Sequence, residues 1–346
     1  MTPLKPNRAP TISDVAQVLG ISRSTVSRAF SRPDLLSDAT VNQIKETAKQ
    51  LGYRPNQVAR ALSTGRHGNI AIVVPDIANP FFPPLIRAAQ LAADGGGFSL
   101  FLGDSDEDPA RELVLLERLM MQAGGCVIAS SRMTDQKIQE LATQHPVVLI
   151  NRDTPGIPRV LIDTAKGIDA AVTHLAELGH KRLVYVSGPA ASWSNQQRRN
   201  AVRRAAARQQ IALEPVAAAR PNFNGGKAAT AAVLKTKATA AITFDDFVAQ
   251  GLLAGLAEEG IMVPRDFSVI GCDDVLGAST FPALTSVSSR CTDAGRLAVE
   301  MLLNILQTGH IHDLRCILDT HLVLRATTER RPKPGPRTQG INRRHA

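Results

Sequence analysis

From residue 69 to about residue 330, short runs of β-branched and apolar residues alternate with longer segments of helical periodicity. The strand-like runs fall at 70–75, 98–103, 126–130, 147–151, 160–163, 183–187, 240–244, 268–272 and 285–288. Helical segments lie between most of them, among them 84–93, 110–122, 165–178 and 247–259. Alternation of this kind returns each strand to the sheet as a parallel neighbour and covers both faces with helices. A stretch of about 260 residues is more than one such core needs, so two doubly wound α/β subdomains are expected. Ligands of such folds lie at the carboxyl ends of the strands, in the crevice between the halves.

Residues 10–54 obey another pattern, that of three short helices. Thr11 caps the first, with Asp14 as its acidic partner, and Ile12, Val15, Ala16 and Leu19 form one apolar face. Gly20 stops it. Ser22 opens the second helix, 23–30, which buries Val26 and Phe30, and Pro33 forces a loop. Ser37 opens the third, with Val41, Ile44, Ala48 and Leu51 on one side and Gly52 at its end. Two helices joined through a tight Gly turn and braced by a third make a helix-turn-helix. After Pro55, residues 56–62 favour helix but are too few to hold one unaided, and the stretch up to 68 reads as linker. The tail 331–346, rich in Pro, Gly and Arg, is expected to be disordered.

Charge is segregated along the chain. Of the formal net +9, residues 1–67 contribute ten Lys/Arg against four Asp/Glu, and residues 330–346 contribute six Lys/Arg and no acid. The stretch between is mildly acidic. A basic N-terminal part suits a polyanion, although a solvated surface has the same composition.

Several classes are set aside. No run of about 18 apolar residues exists, and residues 1–10 lack the apolar core of a secretory signal, so a cytoplasmic location is expected. Cys126, Cys272, Cys291 and Cys316 form no C-x-x-C pair, which points to reduced thiols and no zinc site. No phosphate-loop, nucleophile-elbow, dinucleotide or zinc-protease motif occurs. Asp245-Asp246 and Asp273-Asp274 are paired acids of the kind a glycosidase uses, but adjacent residues at a strand end point apart. No catalytic residue, metal or cofactor is therefore expected, and the chain does not read as an enzyme.

The string TISDVAQVLGISRSTVSRAFS, followed by LGYRPNQVARAL, closely resembles the head and hinge of the lactose-repressor (LacI/GalR) family. IAIVVPDIANPFF, VVLINRD, VSGPAASWSNQQRR, ITFDD and VPRDFSVIGCDD follow in the family's order, so the resemblance spans about residues 10 to 330. It implies an all-α helix-turn-helix head plus an α/β periplasmic-binding-protein-like core of two doubly wound subdomains. The expected layout is a head at 10–54, a hinge helix and linker at 55–68, a core at 69–330 and the tail. Within the core, about 69–163 with 290–316 would form one subdomain, and 164–289 with 317–330 the other. The implied function is a transcriptional regulator, a repressor, that homodimerises on palindromic operator DNA under control of a small effector. A secreted solute-binding protein would explain the core but not the head.

In a helix-turn-helix the start of the second helix meets base edges in the major groove. Arg23 and Ser24 stand there, with Arg28 one turn on. An arginine can bond guanine O6 and N7 together. Thr11, Ser22 and Thr25 offer hydroxyls to phosphates, a role compatible with capping. By resemblance, Leu62 is a minor-groove wedge, with Asn56, Ala59 and Arg60 beside it.

The resemblance also places Phe81, Phe82, Ser131, Arg198, Phe223, Asp245 and Asp273 around the cleft. Carboxylates that accept from hydroxyl pairs, a fixed guanidinium and aromatic walls suit a carbohydrate. Trp193 either covers the ligand or packs its own loop, and each Phe has a core role as its alternative. Arg152 with Arg198 would extend the ligand class from sugars to sugar acids and sugar phosphates. A corepressor such as a purine is the alternative effector. This chain departs from the family pattern at Asp245, where Asn is common, and at Cys272, where an aromatic is common. Residues 296–307 are amphipathic and suit either a dimer interface or the core, and the tail lacks heptads, which favours a dimer over a tetramer.

Overall fold

Side-chain caps set where the N-terminal helices begin. The computed structural model describes residues 9–53 and 68–330. The chain divides into two compact units, Met1–Gly68 and Asn69–Ala346. In the first, α1 (Ile12–Leu19) opens at Thr11, whose N–H and hydroxyl both donate to the Asp14 carboxylate at 2.7 Å. Gly20 closes it at φ 66°, a left-handed conformation that glycine adopts without steric cost. The tight turn leads into α2 (Arg23–Ser31), where the Ser22 hydroxyl accepts from the Thr25 N–H. Ser37 does the same for α3 (Asp38–Leu51). Val15, Ala16, Val26, Ala29, Ile44 and Ala48 fill the space between the three. Phe30 is half-buried at the edge of this core, against Tyr53, and Ala29 takes the interior position beside Val26.

The second unit holds two six-stranded sheets. The first comprises β1 (Asn69–Val74), β2 (Ser99–Asp104), β3 (Cys126–Ala129), β4 (Val147–Ile150), β5 (Arg159–Asp163) and β11 (Arg315–Asp319), in the order β11-β5-β4-β3-β1-β2. The second comprises β6 (Arg182–Ser187), β7 (Ala212–Ala217), β8 (Ala240–Thr243), β9 (Ser268–Asp273), β10 (Thr285–Ser288) and β12 (Leu322–Val323), in the order β12-β10-β9-β8-β6-β7. All neighbours are parallel except β12 on β10. Both orders turn back at the first strand, so each sheet has a switch point there, between β1 and β3 and between β6 and β8.

Successive residues of a central strand enter opposite cores. Ile70 and Ile72 join one cluster, and Ala71 and Val73 the other. Leu183 and Tyr185, then Val184 and Val186, divide likewise in the second sheet. Helices α4 (Phe82–Gly95), α5 (Pro109–Met120), α6 (Asp135–Gln144) and α12 (Cys291–Thr308) cover the first sheet. Helices α7 (Ala165–Glu177), α8 (Trp193–Arg208), α9 (Phe223–Ala228), α10 (Thr230–Lys235) and α11 (Asp246–Glu258) cover the second. Helix α12 is a core helix: its buried face lies on α4, so closely that a Cβ on Gly295 would stand 2.2 Å from the Leu85 carbonyl oxygen. Residues 296–307 therefore serve the core, exposing only a strip that includes Arg296, Glu300 and Asn304.

The chain passes between the sheets at residue 164, at 289–290 and at 320–321. Hydrogen bonds tie these passages together: Thr320 Oγ1 donates to the Asp163 carbonyl at 3.0 Å, and the His321 N–H to Ser288 Oγ at 3.1 Å. The expected subdomain division at 316/317 falls inside β11, which pairs with β5 as far as Asp319. The first subdomain thus keeps the chain to residue 319. Edge strands β7 and β11 escaped the sequence reading because one face of each is wet. Their residues do not form the continuous apolar run of a central strand. Among the described residues, no helix is long and apolar enough to cross a membrane.

Candidate ligand cleft and nucleic-acid interface

In the first unit, α2 turns Val26 and Ala29 inward and leaves Arg23, Ser24 and Arg28 exposed. Among the described residues, neither arginine forms an ion pair, so both guanidiniums are available. The hydroxyls of Ser22, Ser24 and Thr25 cluster at the helix start, with Ser22 Oγ 2.7 Å from Ser24 Oγ and 2.8 Å from Thr25 Oγ1. Hydroxyls and backbone N–H groups at a helix N-terminus suit a phosphate. Thr11 gives its hydroxyl proton to Asp14 in the capping box that opens α1. Asn56, Ala59, Arg60 and Leu62 lie outside the described residues.

In the second unit, a narrow cavity lies between the carboxyl ends of the two sheets, beside both switch points. The segment after β1 supplies Asn79, Phe81 and Phe82. The two rings meet edge to face at 5.0 Å, and each is 5% exposed, so they wall the cavity and pack the core at once. Asn79 takes the Phe81 N–H on its Oδ1 and gives its Nδ2 to Asp245 across the cleft, at 2.9 Å. Ser130 and Asn151 follow the last residues of β3 and β4 with φ of 51° and 53°, a conformation uncommon outside glycine that clusters at ligand sites.

Opposite them stands Arg198, from the middle of α8 and 3% exposed. Its Nη2 donates to Asp273 Oδ1 at 2.6 Å, and its Nη1 to the Phe244 carbonyl. Its Cζ lies 5.1 Å from the Phe244 ring centroid, and its Nε has no partner. Asp273 ends β9 at φ 108°, another position where backbone strain marks the cleft. Asp245 caps α11, accepting from the Val248 N–H at 2.8 Å. Burial pushes its carboxyl up to about 6, against the pull of Val248, Asn79 and Arg198. Burial likewise raises Asp273 by more than Arg198 lowers it. Asp246 faces away. It accepts from Ser286 Oγ at 2.6 Å and the Leu276 N–H at 3.1 Å, and burial lifts it to about 7.

Five of the nine expected cleft residues line this cavity: Phe81, Phe82, Arg198, Asp245 and Asp273. Four do not. Ser131 is buried with its hydroxyl under the Met133 N–H, and its neighbour Ser130 lines the wall instead. Arg152 is held by Asp135 through Nε at 3.0 Å and Nη2 at 2.9 Å, at the start of α6. Trp193 is half-buried on the first turn of α8, while Ser192 and Ser194 on either side face the cavity. Phe223 lies 36% exposed beside a separate depression with Met262 and Phe281. For Ser131, Arg152 and Trp193 the resemblance located the right segment, and the local turn sent a neighbouring side chain inward; the Phe223 segment contributes nothing to the cavity wall.

Sequence reasoning missed Asn79, Glu107, Arg132 and Asn151, all on the cavity wall. Asn151 had a signal, since it is the polar residue just beyond the end of β4, whereas Asn79 lies in the loop well past β1. Arg132 and Glu107 had none, because their pairing joins two loops. Arg132 Nε and Nη2 grip the Glu107 carboxylate at 2.5 and 2.8 Å, and Nη1 donates to the Ser130 carbonyl at 2.6 Å.

A helix-turn-helix with exposed arginines at its reading helix, on a chain with a two-sheet ligand-cleft core, defines a DNA-binding transcriptional regulator. Residues 11–56 match the model for bacterial regulatory proteins of the lacI family, and 172–328 match that of a periplasmic binding protein-like domain. The chain is 31% identical over 337 residues to the transcriptional repressor CytR of Escherichia coli, covering 95% of this chain and 99% of that one. It is 32% identical over 302 residues to the regulator GalS of Salmonella typhimurium, covering 85% and 89%. Among solved structures, the lac repressor dimer bound to operator and an anti-inducer superposes with a TM-score of 0.84 at 25% identity, covering 93% and 100%. The regulator CelR in complex with cellobiose gives 0.68 at 26%, covering 92% and 99%. The chain belongs to the lacI family of bacterial transcriptional regulators.

Proposed function

We propose that this protein is a repressor that binds palindromic operator DNA as a homodimer and is controlled by a small carbohydrate-like effector in the cleft. The observation that carries the effector reading is the Arg198–Asp273 pair, buried at the cavity wall with one guanidinium N–H unpartnered and Asp245 alongside. A fork of donors beside carboxylate acceptors, under phenyl rings, matches the alternating hydroxyls and apolar face of a sugar ring. Relatives solved with cellobiose and with ribose support the same class.

Arg23, Ser24 and Arg28 read base edges, while Ser22 and Thr25 hold phosphates, and Thr11 joins them by turning its hydroxyl from Asp14 to a phosphate. Asn56, Ala59, Arg60 and Leu62 enter the minor groove, with Leu62 as the wedge. Dimerisation is supported by Phe281, which is 99% exposed beside the depression that Phe223 and Met262 share, and by the dimeric state named for the lac repressor structure. A side chain that projects from the rim of an apolar groove suits a two-fold contact, in which each copy fills the other. The effector acts by favouring one opening of the cleft, and it changes DNA affinity only as far as it prefers one state.

A thermal-shift screen of the full-length chain against neutral sugars tests this reading. A sugar should raise the melting temperature of the wild type, and Asp273→Ala should abolish the rise. A shift that survives Asp273→Ala would place the ligand elsewhere.

A further inference from the structure

The cleft's charges point to a narrower ligand class than the family resemblance does. Each guanidinium that reaches the cavity already faces a carboxylate, and only Arg198 Nε is left without a partner. Arg132 is gripped at two nitrogens by Glu107, and Arg198 by Asp273 and the Phe244 carbonyl. At the mouth, Arg220 pairs with Asp106 at 2.6 Å. Arg152 is turned away to Asp135. Helix N-termini, the other attraction for anions, are partly spent. The Ser192 hydroxyl accepts from Asn195 at the head of α8, and Pro83 and Pro84 remove two N–H groups from the head of α4. A ligand carboxylate or phosphate would find no positive charge that a protein carboxylate does not already balance.

Negative charge is in excess. The wall carries three carboxylates, Glu107, Asp245 and Asp273, against two guanidiniums, Arg132 and Arg198. Asp245 is the unmatched one. It is 2% exposed, its hydrogen bonds come from an amide and a backbone N–H, and a further carboxylate, Asp246, stands next to it. The head of α11 offsets part of that charge. Even so, burial leaves the Asp245 carboxyl raised, so a cation beside it would be favoured.

We propose that the effector is a non-anionic polyol, bound most tightly when it carries a protonated amine facing Asp245, and that sugar acids and sugar phosphates are excluded. This rests on the cleft being a carbohydrate site, as proposed above. The ammonium would take over the place of the Asn79 amide on Asp245, or share the carboxylate with it. Ligand charge would thereby be read at the bond that joins the two subdomains.

Calorimetry of the full-length chain against matched sets tests it. One set is glucose, glucosamine, glucuronate and glucose 6-phosphate; a second is galactose, galactosamine and galacturonate; a third is ribose and ribose 5-phosphate. The expected result is binding of a neutral member, binding of its amine on the order of tenfold tighter, and no heat from the acid or phosphate. Asp245→Asn, with an unchanged far-ultraviolet circular dichroism spectrum, should bring the amine-to-neutral ratio close to unity. Tighter binding of an acid or phosphate than of its neutral parent would overturn the charge assignment and leave the carbohydrate site standing. Equal affinity for amine and parent, or a ratio that survives Asp245→Asn, would overturn the role of Asp245. Absence of binding by every member would overturn the carbohydrate reading, and this inference with it.

Discussion

Asn79 donates its amide to Asp245 across the cleft at 2.9 Å, and the direction of that bond is fixed, because the amide oxygen already accepts the Phe81 N–H. One partner follows the first strand of one sheet; the other caps a helix on the second. Opening the cleft must break this bond, and closing must make it. Arg220 and Asp106 form a second link between the subdomains, but both are more than half exposed, so solvent screens it to little effect.

Asn79→Asp should set two carboxylates against each other and hold the subdomains apart. Small-angle scattering on the purified protein should show a larger radius of gyration than the wild type at pH 8 and a smaller difference at pH 4.5, where the carboxyls take up protons. Asn79→Ala, which only deletes the donor, should cost roughly 1–3 kcal/mol of stability by leaving Asp245 less satisfied. An unchanged radius for Asn79→Asp at both pH values would show that the bond does not control the opening.

Arg198→Met should leave the Asp273 carboxylate buried without its cation, a loss of about 3–5 kcal/mol in chemical denaturation. Adding Asp273→Asn should recover part of it, because a neutral amide is cheaper to bury than a lone charge. If the double variant is as unstable as the sum of the two singles, the pair is not coupled.

Asp246 gives the core a pH dependence of definite sign. Its folded pKa, about 7, lies above the unfolded aspartate value of about 3.9. The folded form therefore holds a proton that the unfolded form releases between those values. Stability from this group is fully present below about pH 4 and is lost as pH rises to about 7. Melting curves across that window should slope downward, and Asp246→Asn should flatten them. The same slope in the variant would assign it to other groups, Asp245 and Asp273 first.

The head was legible because its signals are local: capping hydroxyls, Gly stops and one apolar face per helix decide α1 to α3 within a few residues. The central strands were legible as apolar runs. The cleft was legible only to the level of segments. Which of Ser130 and Ser131, or of Ser192 and Trp193, faces the cavity depends on a strand-end φ or on the phase of a helix start, and a one-residue change reverses it. The Arg132–Glu107 and Asn79–Asp245 pairs were out of reach, since residues 25 and 166 positions apart carry no mutual signal in one sequence.

On the DNA side, Arg28→Ala should cost about 1–3 kcal/mol of specific binding and broaden the preference at one base position in each half-site. Leu62→Ala should weaken specific binding far more than nonspecific binding, as expected for a wedge that unstacks a base step. Equal losses on specific and random duplexes, measured by fluorescence anisotropy at fixed salt, would refute the wedge.

Selection of binding sites from a random duplex library with the full-length chain tests the central claim most directly. The expected outcome is enrichment of an inverted repeat, with one half-site per head of a dimer, lost or degraded in Arg28→Ala. Failure to enrich any sequence above random duplex, with the protein folded and dimeric, would contradict it.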